Sequence, residues 1–122
     1  MKHTVLLLLP LLLLCGCVSG PSEAEQYLEK SRNAMALRRY DVARDTIYAL
    51  RHRFPEAIVE RRQAILLLDS IELQAATDSL DALRTVPQGL SPEALRTHNE
   101  EFKRLDMKVK FFQRKLDEDL RK

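Results

Sequence analysis

Tyr40-Asp41-Val42-Ala43-Arg44-Asp45-Thr46-Ile47-Tyr48-Ala49-Leu50-Arg51-His52-Arg53-Phe54-Pro55 sets Ala43, Ile47, Leu50 and Phe54 at steps of four, three and four, then closes on a proline. Residues so spaced share one face of an α-helix, because each position advances about 100° around the axis. Pro55 ends that helix, since the residue before a proline is driven out of the helical region. Upstream, Ser22-Glu23-Ala24-Glu25 has the S-x-x-E pattern of a capping box, in which the two side chains satisfy each other's backbone donors. A first helix is expected over 23–37, with Ala24, Tyr27, Leu28, Ser31, Ala34 and Met35 on its inner face. Small residues at 31 and 43 let two antiparallel helices approach closely, so 23–54 reads as a helical hairpin.

Downstream, Pro55 suits the first turn of a new helix. Residues 56–85 contain neither Gly nor Pro and are apolar on more than one side around Ala64 to Leu68, which predicts one long helix. Pro87, Gly89 and Pro92 make 86–92 the clearest break in the chain. Ser91 fits an N-cap and Pro92 the N1 position of a last helix reaching about Leu120. Within it Phe102, Leu105, Val109, Phe112 and Leu116 form a heptad stripe, with Asp119 standing where the next apolar residue belongs. The long helices at 56–121 thus read as a second, antiparallel hairpin. Asp69 and Glu72 interrupt the apolar run Ile65 to Leu73. A carboxylate pair in a core can serve as general acid and base, but two acids three residues apart also share one helix stripe. The favoured expectation is that both are solvated.

Residues 24–57 resemble one tetratricopeptide (TPR) repeat. The second half carries the likeness: Ala43, Ile47, Leu50 and Pro55 stand at the family's distances, and Arg39-Tyr40-Asp41-Val42-Ala43 resembles its inter-helix turn. In the first half Tyr27 stands where Trp is common and Ser31 where Gly is common, while Lys30 and Ala34 depart from the pattern. An echo lies 33 residues on, pairing Ser31 with Ala64, Ala43 with Ala76, Ile47 with Leu80 and Leu50 with Leu83. The turn this echo would need, near Ser70 to Glu72, has no Gly, Asn or Pro, so the second unit is expected to be fused into one helix. A stacked array needs about three repeats. The resemblance therefore implies an all-α protein in which a TPR-like hairpin packs on a hairpin of two long helices.

The chain has 122 residues, enough for one domain, with 45% hydrophobic and 31% charged residues, no Trp and 3 Gly. That mix suits helices and argues against disorder and against a β-sandwich. Both cysteines, Cys15 and Cys17, lie at the end of an apolar N-terminal run. Met1, Lys2 and His3 begin that run, and Val5 to Leu14 form its apolar part, too short for a span and interrupted by Pro10. Leu14-Cys15-Gly16-Cys17 resembles the bacterial lipobox, with Leu three residues before the modified cysteine and Gly directly before it. Cys at the middle position departs from the usual Ala, Ser or Thr and leaves Cys15 as an alternative. An ordinary secretory signal cut near Gly16 or Ser19, or an uncleaved anchor, are the other readings. The resemblance implies a signal peptide over 1–16, diacylglycerol and an N-acyl chain on Cys17, and a lipidated tether over 17–22. Several acyl chains anchor stably where one would be marginal. Val18, rather than Asp, after the cysteine implies onward transport to the outer membrane of a Gram-negative envelope, with the leaflet left open. Loss of 1–16 removes only Lys2 from the 20 basic side chains, set against 18 acidic ones, so the body over 23–122 is nearly neutral. Nothing in that balance points to nucleic acid.

Chemical motifs are sparse. His3, His52 and His98 are separated and lack partners at metal-ligand spacing. There is no Gly-rich phosphate loop, H-E-x-x-H or G-x-S-x-G. No metal, cofactor or catalytic set is expected. The basic cluster of Arg38, Arg39, Arg44, Arg51, His52, Arg53, Arg61 and Arg62 forms either a binding face or, as the favoured expectation, a solvated face balanced by Asp41, Asp45, Glu56 and Glu60. Tyr40 beside the inter-helix turn, Arg51 and Arg53 are candidate partner-binding residues. Phe111, which falls off the heptad stripe, is a candidate exposed contact. The expected function is that of a lipid-anchored helical adaptor binding another envelope protein, not an enzyme. The alternative is a structural lipoprotein that homo-oligomerises through its C-terminal helix.

Overall fold

A computed structural model describes residues 21–122; the expected signal segment, Cys15 and Cys17 lie outside the described residues. Four helices follow in order: α1 (Glu23–Ala36), α2 (Tyr40–Arg53), α3 (Ile58–Ala82) and α4 (Pro92–Leu120). The described part of the protein is all-helical, and none of its helices is long and apolar enough to cross a membrane.

Local chemistry sets most of these boundaries. The Ser22 side chain accepts from the Glu25 backbone N–H at 3.1 Å, and Ser91 accepts from that of Ala94 at 3.1 Å with Pro92 in the first turn. α1 ends in a Schellman motif: the Arg39 N–H bonds to the Ala34 carbonyl and the Arg38 N–H to that of Met35, both at 2.9 Å. This motif needs a left-handed residue at its centre. Arg38 takes that role at φ 58°, where glycine is the usual occupant.

Pro55 does not open α3 as its sequence context suggested. Pro55 and Glu56 form a turn that reverses the chain, and α3 begins only at Ile58. The Pro55 carbonyl accepts from Arg61 at 2.7 Å, which fastens the turn to the first turn of α3. α3 then runs unbroken through Ser70, whose hydroxyl donates to the Leu66 carbonyl at 2.9 Å within the same helix.

α1 and α2 form a tight antiparallel hairpin. Ser31 and Ala43 are completely buried against each other, and the Ser31 hydroxyl donates to the Ala43 carbonyl at 2.9 Å. Leu28, Ile47 and Leu50 on this hairpin and Ala64 and Ile71 of α3 make one core, sealed at one end by the edge-to-face pair Tyr27–Phe54, 5.4 Å between centroids. Among the described residues, α3 packs on α1, α2 and α4, whereas α4 packs on α3 alone. The central position of α3 explains its lack of a single polar side. Two residues along a helix is a rotation of about 200°, so Ile71 faces the first hairpin while Asp69 faces α4. Glu72, about 100° beyond Ile71, lies on the seam between the two.

Candidate interaction surfaces

Two acids expected in solvent are instead covered. The Asp69 side chain is only 3% exposed, and both its oxygens accept from Lys115 of α4, at 2.7 and 2.8 Å. The same ammonium reaches Asp119 at 2.9 Å. Asp119, the residue that breaks the heptad stripe, is therefore drawn inward as part of a charged cluster. Glu72 accepts from Arg44 of α2 and pairs with Lys108 of α4 at 3.0 Å, tying three helices together. Sequence reasoning placed Asp69 and Glu72 correctly on one stripe, but α4 covers that stripe. A signal was present: Lys108 and Lys115 stand seven residues apart beside the heptad stripe, on the side of α4 from which long side chains can reach acids on a facing helix.

The electrostatics follow from this burial. Desolvation raises Asp69 above the ordinary carboxylate range; Lys115 opposes the rise and Asp119 adds to it. Lys115 is only partly covered, so its hydrogen bonds to Asp69 and Asp119 outweigh its own desolvation and raise it. The cost of burying the pair thus falls on Asp69. Burial alone would raise Glu72 as well, but Arg44 and Lys108 together hold it below its usual value. This is a structural cluster: every charge in it has a partner, although Arg44 and Asp119 also reach the edges of surface clefts.

Two concave surfaces lie at opposite ends of the molecule. One cleft, of about 660 Å³, runs between the α1–α2 turn and α3, bounded by Arg38, Tyr40, Val42, Asp78 and Ala82. The Tyr40 hydroxyl donates to Asp78, and burial followed by that bond raises the phenol above its ordinary value. Leu37 and Val42 are exposed beside it. At the opposite end, Ile65, Leu66 and Leu120 line an apolar groove of about 420 Å³ between α3 and α4, with Arg62, Asp119 and Lys122 at its edge. It continues into a smaller depression lined by Arg51, Ile58, Arg61, Arg62 and Ile65.

The four candidate binding residues do not converge. Tyr40 and Arg51 lie eleven residues apart on α2, about 16 Å along the axis. Arg51 lines the groove at the α3 start, whereas Arg53 points the other way, donating to the Tyr27 hydroxyl and stacking 5.8 Å over its ring. Phe111 is 51% exposed on α4, set edge-to-face on Phe112. The basic cluster is also balanced differently from expectation. Arg44 pairs with Asp41 and Glu72, and Arg38 reaches Asp78, because α3 brings its own acids to α2. Among the described residues no carboxylate pairs with Arg51, Arg61 or Arg62; Glu60 instead accepts from Ser22 at 3.4 Å. No three His, Cys, Asp or Glu side chains among the described residues converge on a metal-sized site.

The chain matches no family model, no curated protein and no solved structure.

Proposed function

We propose that this chain is a lipid-anchored envelope protein, acylated at Cys17, whose TPR-like first hairpin serves as an adaptor for another envelope protein. The observation that carries the adaptor reading is the open cleft at the α1–α2 turn. Its lining mixes apolar and charged side chains, with Tyr40 at the centre and Leu37 and Val42 exposed alongside. A broad surface of that kind suits a segment of another protein better than an enclosed small molecule. The close Ser31–Ala43 contact and the turn at Pro55 support the TPR-like description of α1 and α2. The lipobox resemblance and Val18 support anchorage to the outer membrane.

In-cell cross-linking of the acylated protein, followed by mass spectrometry of what is attached, tests this reading. One recurrent envelope protein is expected, lost in Val42→Glu and retained in Lys30→Glu, both at exposed positions. Recovery of the same partner from Val42→Glu refutes the assignment to this cleft. A second reading, self-association through α4, is favoured by Met107 and Phe111, four residues apart and 64% and 51% exposed on a helix that packs on one neighbour only. It predicts self-links between Phe102 and Leu116 that Phe111→Ala abolishes.

A further inference from the structure

All four helices bring one end to the same place. The Ser22 hydroxyl at the head of α1 reaches Glu60 in the first turn of α3, Arg61 in that turn bonds Pro55 just after α2, and Leu120 at the end of α4 lines a groove with Ile65 of α3. The start of α1 fixes where any N-terminal anchor must lie. Between Cys17 and Pro21 are four residue steps, at most about 14 Å of extended chain. An acylated Cys17 therefore holds this end of the bundle within about 14 Å of the bilayer, and the far cleft points away from it.

The side chains at this end suit that position. Ile58, Val59 and Leu120 are 67%, 65% and 63% exposed, although each could have been any polar residue on a solvated helix end. Arg51, Arg61 and Arg62 line one depression with Ile58, Arg62 also borders the groove that holds Leu120, and the three have no carboxylate partner among the described residues. Apolar side chains rimmed by arginines match the headgroup layer, where aliphatic groups enter and guanidinium forks bind lipid phosphates.

We infer that the end of the bundle formed by Ile58, Val59 and Leu120, with Arg51, Arg61 and Arg62 around it, is a bilayer-contact surface occupied by phospholipid headgroups. This rests on the lipid-anchor reading. The contact turns a flexible tether into an oriented stand, with the Tyr40 cleft presented away from the membrane.

The test uses the acylated protein, purified and reconstituted in phosphatidylethanolamine–phosphatidylglycerol vesicles. Residues 18–122 contain no cysteine, so Ile58→Cys, Leu120→Cys, Leu37→Cys and Val86→Cys each give one labelling site at an exposed position. The mass of the N-terminal peptide reads acylation at Cys17 separately. Fluorophores at 58 and 120 are expected to shift to the blue and to be quenched by a lipid spin-labelled near its headgroup. Those at 37 and 86 keep the emission of a label in water. Acylated protein whose labels at 58 and 120 remain unquenched, or whose four labels are quenched alike, overturns the contact while leaving the anchor standing. A label at 58 that leaves water only when a second envelope protein is added also overturns it, in favour of a protein partner. A Cys17 without acyl mass overturns the anchor and the contact together.

Discussion

Replacing Lys115 by Met removes the one cation that bonds both oxygens of Asp69 while keeping the bulk of the stem. Loss of one partner from a buried pair leaves an uncompensated charge and costs about 3–5 kcal/mol in general. Two features set the value here. Lys115 is 37% exposed, so water can enter where its ammonium was, which places the cost at or below the low end of that range. Asp69 can also escape by taking up a proton. Starting from an ordinary carboxyl near 3.9, protonation at pH 7 costs about 4 kcal/mol, a ceiling on the penalty. A loss of about 2–3 kcal/mol is therefore expected at pH 7, or roughly 10 °C in melting temperature for a domain of this size. The sign with pH follows. Without Lys115, the folded-state pKa of Asp69 rises further above its unfolded value, so the native state binds more protons and the variant loses stability as pH rises from about 4. Urea titrations of wild type and variant followed by circular dichroism, at pH 7 and pH 4, measure both quantities. The gap should narrow at the lower pH. Asp69→Leu removes the buried charge itself and leaves Lys115 with Asp119 and solvent, so it should be near neutral or stabilising. A loss under about 1 kcal/mol for Lys115→Met, or an equal loss at both pH values, would show that Asp69 is not held as a buried anion.

Other expectations follow from single contacts. Arg38→Gly should stabilise the protein by roughly 1 kcal/mol, because φ 58° strains a residue with a Cβ and the exposed ion pair to Asp78 at 3.6 Å contributes little; a lowered urea midpoint would contradict this. Ala43→Leu should destabilise by about 1–3 kcal/mol or more, since its Cβ already lies in the closest approach of α1 and α2; thermal melts measure it. Glu72 is held below its usual range, so its contribution is present above the unfolded pKa and lost as pH falls through the folded one. Glu72→Gln should accordingly be less stable than wild type near neutrality and should show a shallower acid limb, read from melting temperature against pH.

Much of this architecture was legible in the sequence because it is local. The three-and-four spacing of Ala43, Ile47 and Leu50, the caps at Ser22 and Ser91, and the break around Pro87 and Gly89 act within a few residues of themselves. Ser31 and Ala43 also announced their contact, since small side chains on facing stripes have few other uses. Ends that depend on chain reversal were less legible. Pro55 satisfies the local rule for a helix start, yet the turn back onto α2 takes up residues 55–57.

By itself, then, the sequence determined the helices, their apolar stripes and the order of two hairpins, because helical periodicity and capping are properties of neighbouring residues. The tertiary structure alone decided what each stripe meets. Asp69 and Glu72 look like surface acids until α4 is laid over them, and Arg44 finds its acid on α3 rather than only along α2. Likewise, the separation of Tyr40 from Arg51 and the gathering of Ile58, Val59 and Leu120 at one end arise from how the helices are assembled. Burial and charge pairing are set by the partner across an interface, and a position's neighbours in sequence do not specify that partner.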